Sequence, residues 1–258
     1  MISTIYPALF LALAVLAFGL AQTSCSVFSD KSFKVGLYES GEPLVFMESK
    51  NSIAGFEVDF AKSISDRIEK KMTTKLLSPD EISEALNKGT VDCVISSLES
   101  IHKLMNAYDS TEPFISYGIV IIKLADDTTI TDVVSLSGKQ VGVAVETDAE
   151  ALCEEILKVL SFDLRKYDLP NQPLQEIQLK KKDAAVSDEY LARYYEKKYP
   201  EIFETLGPVY QIREYGIKFS KKISDEDMAR IEEALADMKS DGALSGLYMK
   251  WFGYDFLQ

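Results

Sequence analysis

The side chains able to do polar chemistry in this chain are few in kind. His102 is the only histidine among 258 residues, and the three cysteines are Cys25, Cys93 and Cys153. Zinc-type metal sites need Cys and His clustered at short, fixed spacings, and no such spacing occurs. Triads and Cys–His dyads need a histidine base held beside the nucleophile, and one isolated histidine assembles neither. No Gly-rich phosphate loop follows a strand, so no metal, nucleotide or other cofactor is implied. Carboxylates remain: 41 Asp and Glu against 28 Lys and Arg, a net charge of −13. In pairs they can do acid–base work or hold a cation. So acidic a surface does not neutralise phosphates, which excludes nucleic acid. It equally disfavours electrostatic attachment to anionic lipid.

These groups are positioned by alternating strands and helices. The length allows one large domain or two ordinary ones, and a hydrophobic fraction of 47% suffices for a core. Phe33–Tyr38 reads as a strand and Phe56–Lys70 as a helix, with Phe60, Ile64 and Ile68 repeating on one face. Lys75–Leu77 is a short strand. Ser78-Pro79-Asp80-Glu81 opens a helix that stops at Lys88-Gly89. Val91–Ser96 reads as a buried strand. The cycle restarts with strand Gln140–Val145, helix Ala149–Leu160, strand Asp183–Val186 and helix Asp188–Lys198. Cys93 and Cys153 fall on a strand and a helix, as two small buried hydrophobes rather than a disulfide. The alternation predicts two parallel-sheet units covered by helices. Two extended stretches, Phe114–Lys123 and Leu206–Phe219, connect them, and a helix capped at Ser224 opens the final segment. Two lobes with two crossovers predict a hinged pair around a cleft.

The start of the chain is different in kind. No charged side chain occurs from Met1 to Ser29, and Ala8–Ala21 is apolar, the length of a signal-peptide core. Gln22-Thr23-Ser24-Cys25 follows. Lipidation at Cys25, ordinary cleavage nearby and an uncleaved anchor over Ile5–Ala21 all stay open. Each places the working protein in the periplasm or otherwise outside the cytoplasm, with membrane contact only through that N-terminal anchor.

Three motifs resemble the bacterial extracellular solute-binding proteins of family three. Gly55-Phe56-Glu57-Val58-Asp59-Phe60 is similar to the family's Gly-aromatic-acid signature. Gly89-Thr90-Val91-Asp92 through Ser96-Ser97 is similar to a strand ending in ligand-binding serines. Ser240-Asp241-Gly242 to Gly253 is similar to the terminal helix. The resemblance spans about residues 31–255 and implies a type II periplasmic-binding-protein-like α/β fold. Residues 1–25 are then an export segment, 31–116 with 213–258 the first lobe, and 117–212 the second. It also implies a monomer that captures an amino-acid-like or amine ligand between the lobes for a membrane ABC permease. Closure would hinge near Ser116–Gly118 and Gln211–Arg213.

Carried over by position, the resemblance makes Asp188 the ammonium anchor and Thr147 a contact for a ligand carboxylate. Ser96 and Ser97 become first-lobe partners. Helix capping is the alternative role for Asp188 and Thr147. Elsewhere this chain departs from the family. Leu104 stands where an arginine clamps the carboxylate, Glu99 replaces a hydroxyl residue, and Asp148 replaces a second one. Leu44 replaces a covering aromatic, with Tyr38 and Phe46 nearby. The cleft gains acids and loses its anion anchor, and close like charges cost a carboxylate ligand several kcal/mol, roughly. Three readings stay open: a cationic ligand on Asp188, Asp148 and Glu99; Arg213, one of five arginines, reaching in as a substitute clamp; or a degenerate site on a protein-interaction or sensory scaffold. A dehydratase like some relatives of this fold stands last, because it needs basic groups the cleft lacks. The Lys180–Lys182 run reads as a solvated helix end, and Tyr190, Tyr194, Tyr195 and Tyr199 as packing.

Overall fold

The computed structural model describes residues 32–257, so the expected export segment and Cys25 lie outside the described residues. The strands are β1 (Phe33–Leu37), β2 (Phe46–Ser49), β3 (Ser52–Ala54), β4 (Met72–Leu76), β5 (Cys93–Val94), β6 (Ser110–Leu124), β7 (Gln140–Ala144), β8 (Asp163–Tyr167), β9 (Ala184–Asp188) and β10 (Phe203–Phe219). The helices are α1 (Phe56–Arg67), α2 (Pro79–Lys88), α3 (Glu99–Lys103), α4 (Asp148–Ile156), α5 (Gln172–Gln178), α6 (Glu189–Lys198), α7 (Asp225–Ser240) and α8 (Ala243–Trp251). Eight strands form one sheet in the order β4-β1-β5-β10-β6-β9-β7-β8. β1 pairs in parallel with β4 and β5, and β7 in parallel with β8 and β9. β10 and β6 run antiparallel between the two parallel sets, as the crossovers of a two-lobed fold.

Local sequence explains most boundaries. Ser78 caps α2 through a capping box in which its backbone N–H donates to Glu81 Oε2 at 2.9 Å, and Gly89 ends the helix at φ 70°. Ser224 accepts from the Asp227 N–H at 3.1 Å to open α7. α1 stops at Arg67, short of the predicted Lys70, because Glu69 turns left-handed at φ 54°. α4 ends at Ile156, four residues before the predicted Leu160. The predicted strand Val91–Ser96 keeps ladder pairing only at Cys93–Val94, after which the chain turns toward the cleft. The β2–β3 hairpin, α3, β8 and α5 have no counterpart among the predicted elements.

The main core is aromatic. Phe56, Phe60, Phe114, Tyr248 and Phe252 are all essentially inaccessible, and the Phe60 and Phe114 rings stack at 4.6 Å. Truncating one such ring costs about 3–5 kcal/mol. A second cluster, which includes Ile119, Ile121, Val141, Val143 and Val186, fills the β7–β9 half. Cys93 and Cys153 are free and buried, and burial pushes the Cys153 thiol up to about 12. Both act as small hydrophobes, as predicted. No helix among the described residues is long and apolar enough to cross a membrane.

Candidate ligand cleft

The carboxyl ends of the parallel strands carry the candidate residues. Tyr38 follows β1, Ser96 and Ser97 follow β5, Thr147 follows β7, and Asp188 ends β9. β6 brings the last group to the crossovers, pairing Ile119 with Asp188 and Tyr117 with Arg213.

Asp188 precedes α6 but makes no side-chain capping hydrogen bond, so the capping alternative fails for it. Its carboxyl is pushed up to about 7, chiefly by burial. The Asp148 carboxylate adds to the shift, Arg213 opposes it, and Glu99 raises it again. Thr147 does the reverse. Its hydroxyl accepts from the Glu150 N–H at 3.2 Å and donates to the Ala144 carbonyl at 2.8 Å, a helix cap in use.

The other charged candidates neutralise one another. Arg213 Nε lies 3.0 Å from Asp148, and its terminal nitrogen 3.3 Å from Glu99. Lys103 lies 3.4 Å from Glu99 and 3.7 Å from Asp148. Two cations and two acids thus interleave across the cleft. Arg213 is thus engaged by two carboxylates.

The first-lobe serines are occupied too. The Ser97 N–H and hydroxyl both donate to Glu57 Oε1, each at 2.7 Å. The Tyr117 hydroxyl donates to the Ser97 carbonyl, and Ser96 Oγ accepts from the Leu98 N–H at 3.3 Å. Glu57 is 1% exposed, and burial raises its carboxyl to about 7 against the lowering effect of Ser97. The sequence shows Glu57 only as a motif residue; its partner forty positions away carries no local signal. Leu104 is exposed to solvent. His102 packs edge-on against Tyr215 at 5.2 Å, with burial lowering its pKa. Tyr38 packs against the cluster around Leu77, Leu86 and Met105, and Phe46 against Trp251.

Two cavities open along this cleft. A small one is bounded by Thr147, Ser187 and Asp188. A cavity of 430 Å³ adjoins it, sharing Pro170 and Leu191, and is walled by the tyrosines of α6. No group of three metal-ligating side chains exists among the described residues.

This geometry has relatives. The L-cystine-binding protein TcyJ of Escherichia coli (strain K12) is 28% identical over 223 residues, 86% of this chain and 82% of that protein. The unliganded open L-cystine solute receptor of Neisseria gonorrhoeae shares the fold, with a TM-score of 0.70 at 22% identity over 88% of this chain and 95% of that one. An ancestral amino-acid-binding protein, a precursor of cyclohexadienyl dehydratase, scores 0.63 at 25% identity, covering 86% and 95% of the two chains. Residues 33–254 match the profile of one family throughout, and the chain belongs to the bacterial extracellular solute-binding proteins, family 3.

Proposed function

We propose that this solute-binding protein captures a cationic amine between its lobes, anchored by Asp188, and hands it to a membrane ABC permease. One observation carries the reading. Among the cleft's charged groups, Arg213, Lys103, Glu99 and Asp148 are paired with each other, whereas the Asp188 carboxylate has neither a capping bond nor an ion pair among the described residues. A cation entering there gains a partner without breaking one. A free carboxylate would meet three acids and no unengaged fork. L-cystine, the ligand named for TcyJ, carries two ammonium groups and two carboxylates, so it matches the acid anchor through its ammonium groups alone.

The lobes in this reading are residues 31–116 with 213–258, and 117–212. The crossovers support a hinge between them. A Cβ on Gly118 would lie 2.3 Å from the Tyr210 carbonyl oxygen, and the β6–β10 register shifts on both sides of Tyr210. The uncharged leader supports export, with Cys25 as the lipid attachment point, and the protein acts as a monomer. We read it as a receptor and not an enzyme, because Glu99 and Asp148 are held in ion pairs and leave Asp188 without a second free cleft acid among the described residues. Turnover of prephenate or arogenate by the purified protein would overturn that.

A second reading rests on the position of Arg213. If a ligand carboxylate displaces Glu99 and Asp148, the guanidinium becomes the missing clamp. Calorimetric titration separates the two. Simple amines binding more tightly than their matching amino acids supports the acid anchor; the opposite order supports the Arg213 clamp. Silence from all amines and standard amino acids leaves the scaffold.

A further inference from the structure

Helix α6 carries Tyr190, Tyr194 and Tyr195, and Tyr199 follows at its C-terminus; the sequence shows all four only as packing. Tyr190 and Tyr195 are indeed buried. Yet all four also wall the 430 Å³ cavity, closed on the other side by Leu98, Leu169 and the Ser40–Glu42 turn. Its charged groups are already matched. The Tyr194 hydroxyl donates to Glu42 at 2.5 Å, Lys198 lies 2.6 Å from the same carboxylate, and Lys198 also reaches the Tyr194 oxygen at 3.0 Å. The pair sums to zero charge, so a second charged ligand end would have to break it. What stays open is ring and aliphatic surface beside the amides of Asn171 and Gln175, with the Ser40 hydroxyl lacking any hydrogen-bond partner among the described residues.

The cavity also lies within reach of the anchor. Leu191 lines both it and the small cavity at Asp188. At about 1.5 Å of helix rise per residue, Asp188 sits roughly 5 Å along the axis from Leu191 and 9 Å from Tyr194. We propose that the tyrosine-walled cavity is a ligand subsite for an uncharged aromatic group, so that the solute is an arylalkylamine whose ammonium meets Asp188. Ring–ring contacts and burial of the aromatic surface then supply the affinity that the missing carboxylate clamp does not. This rests on the amine reading above.

The test titrates the purified protein with ethylamine, phenethylamine, tyramine and L-cystine. The two arylalkylamines should bind at least tenfold more tightly than ethylamine. Leu169→Trp, at an exposed rim position, should obstruct the cavity mouth and erase that gain, with ethylamine binding and the unfolding temperature unchanged. Equal affinity for all three amines, or a gain that survives Leu169→Trp, overturns the subsite while the amine receptor stands. L-cystine binding more tightly than either arylalkylamine also overturns it, since the Glu42–Lys198 pair would then have opened for a second charged end. No binding by any amine removes the receptor reading and the subsite with it.

Discussion

On the first-lobe wall of the cleft, Ser97 is inaccessible and both of its donors end on Glu57, itself buried. On the second-lobe wall, Asp188 stands at a helix start it does not cap, with its carboxyl pushed up to about 7. Both walls carry a carboxyl raised by burial, yet one is wired into the scaffold and the other faces an opening. A desolvated acid with internal donors holds a loop in place; a desolvated acid without them is poised to accept a cation. The perturbed pKa alone does not tell these apart. The partners do.

The largest effect should separate the walls outright. Asp188→Asn should weaken amine binding by about 3 kcal/mol, on the order of a hundredfold, with no loss of thermal stability and a gain at neutral pH, because no capping bond is lost and a desolvated charge is removed. Calorimetry and an unfolding scan on the same sample check both halves. A large stability loss would mean that the two walls are built alike. Glu57→Ala should do the reverse. It strips Ser97 of its acceptor and leaves a buried N–H unsatisfied, costing about 2–3 kcal/mol of stability in a denaturant titration.

pH sharpens the contrast because its two readouts run in opposite directions. Burial keeps the proton on folded Glu57 to about pH 7, against an ordinary value of 4.5. Between those values the folded state binds more protons than the unfolded one, so stability falls as pH rises through this window. The contribution approaches about 3 kcal/mol at full span. Asp188 acts on stability in the same direction. An amine anchored by the Asp188 carboxylate, as proposed, should bind less tightly as pH drops below about 7. Unfolding temperatures and binding constants between pH 5 and 8 should therefore cross. Glu57→Gln should flatten much of the first profile and leave the second.

What could be read from the sequence divides along similar lines. Helices with sharp caps, such as the one opened by Ser78 and closed by Gly89, were legible because the signals are local. β8 was not, since Asp-Leu-Arg-Lys-Tyr is a mostly exposed edge strand without apolar alternation, and α5 is a single short helix with Pro173 in its first turn. Asp188, Glu99, Asp148 and Arg213 were singled out by motif position and charge, but their mutual pairing is tertiary. Glu57 and the cavity beside the α6 tyrosines depend on partners tens of residues away, for which no local pattern exists.

The smallest effect tests the neutral cluster that stands between the walls. Arg213 is part-exposed, so its pairs with Glu99 and Asp148 are screened and contribute less than about 1 kcal/mol to stability. Its charge still opposes a cation bound at Asp188, and removing it frees two acids to favour one. Arg213→Gln should therefore strengthen amine binding a few-fold at low salt, with the gain shrinking as ionic strength rises and the Debye length shortens. Stability should hardly move. If the variant loses binding instead, and loses it most for ligands with a carboxylate, Arg213 is the clamp. The acids around it would then be its resting partners, and recognition would be shared by both walls.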